Sequence, residues 1–444
     1  MKVAVVGSGI SGLAACHALA GQADITLLES GTYFGGHTHT VDVTLPDANG
    51  REVTHGVDTG FLVFNERTYP QLIELFRELG IPTARSDMSF SVQVPQALNG
   101  QGLEWSGTDL DTVFAQRGNL LRPRFWRMLR DLLKFNALAT RIARGGAETA
   151  LMQPLGQFLD AHGFSREFRD WYFLPMLGCI WSCPTDQMLA FPVSTMIRFC
   201  HNHGLIQVTD RPQWWTVDGG ARQYVRKIVA GVRDARLNTP ARAVRRTADG
   251  VEVRTDGGWE RFDHLVLATH SDQALALLGG DATPAERELL GAIRYQPNRA
   301  VLHTDVSVLP QRRKAWAAWN YERGPGGHEE TRVCLHYLLN QLQPLPWQRP
   351  VVVSLNPVRP IHPSSVIGAY DYAHPVFDLA AIRAQNRMHQ VQGQRATWFA
   401  GAWMGYGFHE DGLKAGLAAA RSLLARAGRS PRSTTSALHA EAMA

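Results

Sequence analysis

Val3-Ala4-Val5-Val6-Gly7-Ser8-Gly9-Ile10-Ser11-Gly12-Leu13-Ala14-Ala15-Cys16-His17-Ala18-Leu19, followed by Ile25-Thr26-Leu27-Leu28-Glu29, decides how this chain folds. The first four residues are an apolar run of strand composition. A GxGxxG comes next, then a stretch that reads as helix, then a second apolar run that ends on an acid. Strand, glycine turn, helix, strand and acid in this order form a βαβ unit suited to a dinucleotide. Gly7 allows the tight turn, Gly9 lets backbone approach a pyrophosphate, and Gly12 lets helix and strand pack closely. The helix N-terminus offers N–H groups and a partial positive charge to the phosphates. Glu29 is placed to accept hydrogen bonds from both hydroxyls of an adenosine ribose. A bare glycine motif also occurs in ordinary βαβ turns; here strand, helix and acid are all in register.

Outward from this unit, the 444 residues are too many for one core, so two domains are expected. Strand and helix signals of nucleotide-domain type recur in the middle, at Gly219-Gly220 and Asp263–Thr269, and near the end, at Ala396–Gly401 and Gly412–Ala425. The expected architecture is α/β: a Rossmann-like GxGxxG domain from 1–75, 205–285 and 395–428. It is interleaved with a domain of helices and mixed sheet from 76–204 and 286–394. Residues 429–444 are small and polar and read as a disordered tail.

Composition excludes several classes. Hydrophobic residues make up 45% and charged residues 19%, which is a globular balance. A net charge of +5 is too small to argue for nucleic acid without a concentrated patch. Five cysteines, an odd and sparse set, suit a reducing compartment. Cys179, Cys183 and Cys200-His201-Asn202-His203 lack CxxC spacing, so no metal site is expected. No apolar run reaches the length of a membrane span, and the first strand starts too early for a signal peptide. The expected location is the cytoplasm, with contact at the inner face of the membrane through one stretch. That stretch, 122–142, places Arg127, Arg130, Lys134 and Arg141 in one sector of a helix, largely opposite Phe125, Met128, Leu129, Leu132, Phe135 and Ile142. It reads either as an interfacial helix or as an ordinary amphipathic helix whose apolar face is core.

Four segments together resemble the flavin-dependent amine oxidase and phytoene desaturase superfamily. They are the GxGxxG with Glu29; the run Ser30 to Thr40 containing Gly35-Gly36-His37-Thr38; Asp58-Thr59-Gly60; and Phe399-Ala400-Gly401 with Glu410-Asp411-Gly412-Leu413-Lys414-Ala415-Gly416. The pairing of N-terminal and C-terminal segments implies FAD rather than NAD. Gly36-His37-Thr38, Ile180-Trp181-Ser182, Trp319-Asn320-Tyr321 and Ser354-Leu355-Asn356-Pro357 are similar to a bacterial group of predicted flavin-containing amine oxidases. That group is related to the N-terminal region of plant cyclopropane fatty acid synthases and to acyl-lipid desaturating flavoenzymes of furan fatty acid synthesis.

The resemblance implies flavin contacts at Gly7, Gly9, Ser11, Gly12, Glu29, Ser30, Gly35, Gly36, His37, Thr38, Gly401, Phe408, His409, Gly412 and Leu413. His409 and Glu410 are the candidate catalytic residues, or else they only orient backbone and flavin. The chain departs from the family in four places. His37 stands where an arginine is usual, and Ala402 where an acid usually follows the glycine. Phe408 replaces a tyrosine of the aromatic cage, with Tyr406 close by. The strand Ala300-Val301-Leu302-His303-Thr304-Asp305 has no lysine. The implied function is FAD-dependent removal of two hydrogens from a lipophilic substrate, a fatty acyl chain of membrane phospholipid. The alternatives are an amine oxidase, and a non-catalytic flavin-binding accessory to lipid modification. The electron acceptor and the oligomeric state have no signature in the sequence.

Overall fold

The computed structural model describes residues 1–145, 153–207, 211–324 and 333–429, with backbone alone at 186. The expected tail lies outside these residues, apart from Arg429. The chain divides into two compact units. The first is Met1–Thr38, Arg222–Ile293 and the chain from Ala384 onward; the second is His39–Ala221 and Arg294–Arg383.

These limits differ from those drawn on the sequence. Residues 39–75 and 205–221 belong to the second unit because of strand pairing. Thr40–Pro46 pairs with Glu52–Asp58, and Trp214–Val217 pairs with both Phe64–Asn65 and Thr83–Ser86. Residues 286–293 and 384–394 belong to the first unit, where Arg387 and Glu288 form an ion pair.

The first unit holds a five-stranded parallel sheet in the order Asp234–Arg236, Asp24–Leu28, Lys2–Val6, His264–Leu267, Thr397–Phe399. Its central strands are continuous apolar runs, as a sheet covered on both faces requires. The helix Ile10–Leu19 is buried along nearly its whole length. Two glycines allow that. A side chain at Gly12 would overlap the Gly7 carbonyl, and one at Gly416 would overlap the Ser11 carbonyl. The C-terminal helix His409–Arg426 therefore lies directly against the first one.

The second unit holds a seven-stranded sheet in the order Val366–Val376, Arg294–His303, Val352–Leu355, Val333–Leu338, Trp319–Arg323, Phe90–Val94, Leu103–Ser106. All its pairs are antiparallel except Trp319–Arg323 with Phe90–Val94. Trp214 and Trp215 sit in the separate three-stranded sheet of this unit.

The helix Pro123–Arg144 begins at a proline, as a first turn tolerates. Phe125, Met128 and Phe135 are fully buried. These three stripe residues are core, and Leu129, Leu132 and Ile142 are half-buried. Among the described residues, no helix is long and apolar enough to cross a membrane.

Candidate active site of the first unit

The residues singled out in the N-terminal half converge on one corner. Gly7 turns the chain at a φ of +96°. The helix then starts at Ile10 with Gly9 at its cap position and no side chain capping it. Its first-turn amides have no intrahelical acceptor, and a side chain at Gly9 would project into open space. That is a cradle for an anion. Gly36 lies against Gly9, and Gly412 lies against Ile10 and Ser11. Leu413 is fully buried beside them in sequence.

Glu29 follows the second strand and is held by four donors. Its Oε2 accepts from Ser8 N (2.9 Å) and Ser8 Oγ (2.5 Å). Its Oε1 accepts from Gly31 N (2.8 Å) and, weakly, from Ser30 Oγ (3.3 Å). Ser8 Oγ in turn accepts from Gly35 N at 3.1 Å. Ser8, absent from the sequence-derived set, thus ties the acid to the Gly35-Gly36 loop. All donors to Glu29 are neutral, so its negative charge stays uncompensated.

A second group joins three separate segments. Tyr224 Oη lies 2.5 Å from Thr38 Oγ1 and 2.7 Å from His409 Nε2. Tyr224 and Thr38 are buried. Burial holds the His409 imidazole well below the usual histidine range, at about 3. It is therefore neutral at pH 7, with its Nε2 bonded to the Tyr224 hydroxyl. Glu410 is buried and pairs with Lys414 at 3.4 Å, one turn along the helix.

The helix starts at His409, three residues ahead of the Gly412 at which the helical signal begins in the sequence. Asp411 explains the start. Its Oδ2 accepts from Phe408 N (3.0 Å) and Tyr406 N (3.1 Å), which fixes the entry turn. Burial pushes the Asp411 carboxyl up to about 6, against the lowering effect of those two amides. Gly401 has no room for a side chain because the Trp403 indole folds over it. Trp403 then donates to the Thr269 carbonyl at 3.0 Å. An aromatic clamp thus stands next to Ala402, the position where the family acid is usual. The His37 ring lies 6.3 Å from that of His270.

In the second unit, Asp58 accepts from Ala221 N (3.1 Å), Thr40 Oγ1 (2.5 Å) and Gln343 Nε2 (2.9 Å). The lysine-free strand carries a buried His303, bonded to Ser354 Oγ at 2.7 Å. Among the described residues, one cluster has metal-ligand chemistry: Glu322, Cys334 and His336. The cysteines and histidines of 179–203 do not form one.

These observations meet the comparisons with known proteins. A family model of flavin containing amine oxidoreductases matches residues 10–328. The chain belongs to that family. Three solved structures share its fold at 17% identity. The first is a CLA-producing fatty acid isomerase from P. acnes, with TM-score 0.64 over 96% of this chain and 98% of that one. The second is a putrescine oxidase bound to putrescine, with TM-score 0.65 over 96% and 100%. The third is cyclohexylamine oxidase from Brevibacterium oxydans IH-35A, with TM-score 0.63 over 96% and 99%. A search of curated protein sequences returns no match to this chain.

The protein is a flavin-containing oxidoreductase, and its cofactor is FAD. The first unit fits that cofactor: an uncapped helix start, open space over Gly9, and a carboxylate held by neutral donors. Four contributors were not in the sequence-derived set. Ser8 lay inside the glycine motif as its one hydroxyl before Gly9, and was legible there. Tyr224, Trp403 and Asp411 depend on partners supplied by the fold.

Proposed function

We propose that this flavoenzyme removes two hydrogens from a lipophilic substrate, and that the substrate is a fatty acyl chain of membrane phospholipid. When bound, FAD supplies the two-electron acceptor. The amides of the helix Ile10–Leu19 and the Gly35-Gly36 loop would hold its pyrophosphate, and Glu29 its adenosine ribose. The start of the helix His409–Arg426 would meet its ring system, where a helix N-terminus favours negative charge.

One observation carries the substrate reading: the ionisable side chains of the segment 401–411 are each turned onto the protein's own groups. His409 is neutral, Glu410 is paired with Lys414, and Asp411 caps its own helix. An imidazole with a pKa of about 3 is a weak base at neutral pH. His409 is therefore a positioning residue, fixed by Tyr224 and Thr38. An unactivated acyl C–H has no acidic proton, so placement matters more than a base. The absence of lysine on the strand ending at His303 and the phenylalanine at 408 both depart from the amine oxidase pattern.

The test is anaerobic reduction of the holoenzyme. Bleaching of the flavin by acyl phospholipid, with a new double bond found by mass spectrometry, is the expected result. Bleaching by polyamines or aromatic amines alone makes the protein an amine oxidase. A flavin that no such compound reduces makes it an accessory protein.

A further inference from the structure

We infer that the outward side of the helix Pro123–Arg144, with the turn Arg117–Leu121 leading into it, docks the second unit onto an anionic phospholipid bilayer. This goes beyond the proposed reaction and holds whatever the substrate.

The helix is anchored from its other side. Phe125, Met128 and Phe135 bury it in the core, so nothing in the fold requires apolar residues to point outward. Yet Leu121 is 88% exposed, Leu133 59%, Trp126 49% and Leu120 46%. These are four of the ten exposed large hydrophobics among the described residues, and they fall between positions 120 and 133. Trp126 is not loose. Its indole N–H donates to the Leu120 carbonyl at 2.9 Å, which locks the ring to the turn.

Cations outnumber acids around these residues. The helix carries Arg124, Arg127, Arg130, Lys134, Arg141 and Arg144 against a single acid, Asp131, which is buried, accepts from Ser165 N and pairs with Arg130 at 3.5 Å. Arg124 and Arg127 face the buried Glu167. Arg130, Arg141 and Arg144 share the sector of Trp126 and Leu133 at about 100° per residue. Arg141 and Arg144 also border a notch of about 460 Å³ with Asn136, Ala137, Thr140 and Ile206. Asn136 is 8% exposed, and its Oδ1 has no partner among the described residues. Two guanidinium groups beside that notch can receive a lipid phosphate.

Cations that ring leucine and tryptophan match the interfacial zone of an anionic bilayer. A second copy of this chain would bring like charges together. A nucleic acid would leave Leu121 and Leu133 without apolar partners.

The test is flotation of the holoenzyme with phosphatidylcholine vesicles, with and without phosphatidylglycerol. Binding to the phosphatidylglycerol vesicles, weakened by salt, is expected. Arg141→Gln with Arg144→Gln should weaken it roughly thirtyfold. Leu121→Asp with Leu133→Asp should abolish it, with flavin content and melting temperature kept. Equal binding by wild type and both variants overturns the inference, as does no binding by wild type. A dimer that the leucine changes dissolve, without vesicle binding, overturns it in favour of self-association.

Discussion

Glu29 in the first unit and Glu322 in the second are both carboxylates bound by several donors, and they do opposite jobs. Glu29 is held only by amides and hydroxyls, so its charge remains available to a ligand. Glu322 is fully buried, and its charge is cancelled by Arg359 at 2.6 Å. Burial pushes the Glu322 carboxyl up, but hydrogen bonds from His336 and Arg359 outweigh it and hold it low. Behind Glu322 runs a chain of bonds across the sheet. His336 donates to Glu322 (2.9 Å) and accepts from Ser354 (2.6 Å), which accepts from His303 (2.7 Å). His303 Nδ1 accepts from Asp305 N at 3.1 Å, so every donor points the same way. The lesson concerns neutralisation: the arginine cancels the charge of Glu322, whereas the dipoles around Glu29 orient its carboxylate and leave the charge in place.

The largest expected effect breaks the structural member. Glu322→Ala leaves the buried His336 without its acceptor and a void beside it, and should cost about 2–4 kcal/mol of stability. Thermal unfolding should show the loss, while the flavin affinity of the remaining folded protein stays unchanged. A variant that loses flavin but not stability would reverse the assignment.

Glu29→Gln tests the other member. It keeps shape and removes charge, so FAD should bind roughly tenfold to a hundredfold more weakly, the equivalent of about 1.5–3 kcal/mol. The melting temperature of the flavin-free protein should barely move. Titration with FAD, followed by flavin fluorescence, reads the difference.

His409 adds a pH axis. Its folded pKa, about 3, lies below the ordinary value of 6.5. The folded state therefore favours the neutral ring, and this stabilisation is present above pH 6.5 and lost as pH falls towards 3. His409→Gln should flatten the acid side of the stability profile. An unchanged profile would mean that His409 titrates normally.

The smallest effect sharpens the comparison from within. Ser30 is exposed and gives Glu29 only a 3.3 Å bond. Ser30→Ala should change both flavin affinity and stability by less than about 0.5 kcal/mol. A large loss would show that ribose binding runs through the serine.

The two units also differ in how far their sequences disclose them. Residues 3–36 are legible because each part of the corner lies within a few turns of the next, and the glycines mark it. The partnership of Tyr224 with His409 spans 185 residues, so no local pattern points to it. The Glu322 network needs the register of four strands, and period-two patterning supplies faces but not neighbours. In the helix Pro123–Arg144, periodicity shows a stripe without showing what covers it. The fold buries Phe125, Met128 and Phe135 of the stripe and leaves Trp126 and Leu133 outside it exposed. Domain limits moved for the same reason, since pairing of Trp214–Val217 with Thr83–Ser86 is invisible until the chain is folded.

The central claim is that FAD sits on the glycine corner with its adenosine end at Glu29. The absorbance spectrum of the purified chain beside that of Glu29→Gln tests it most directly. The account predicts a yellow wild type and a variant that loses flavin on dilution and regains it when FAD is added in excess. A colourless wild type that takes up no FAD, or a variant that holds flavin as tightly as wild type, would contradict it.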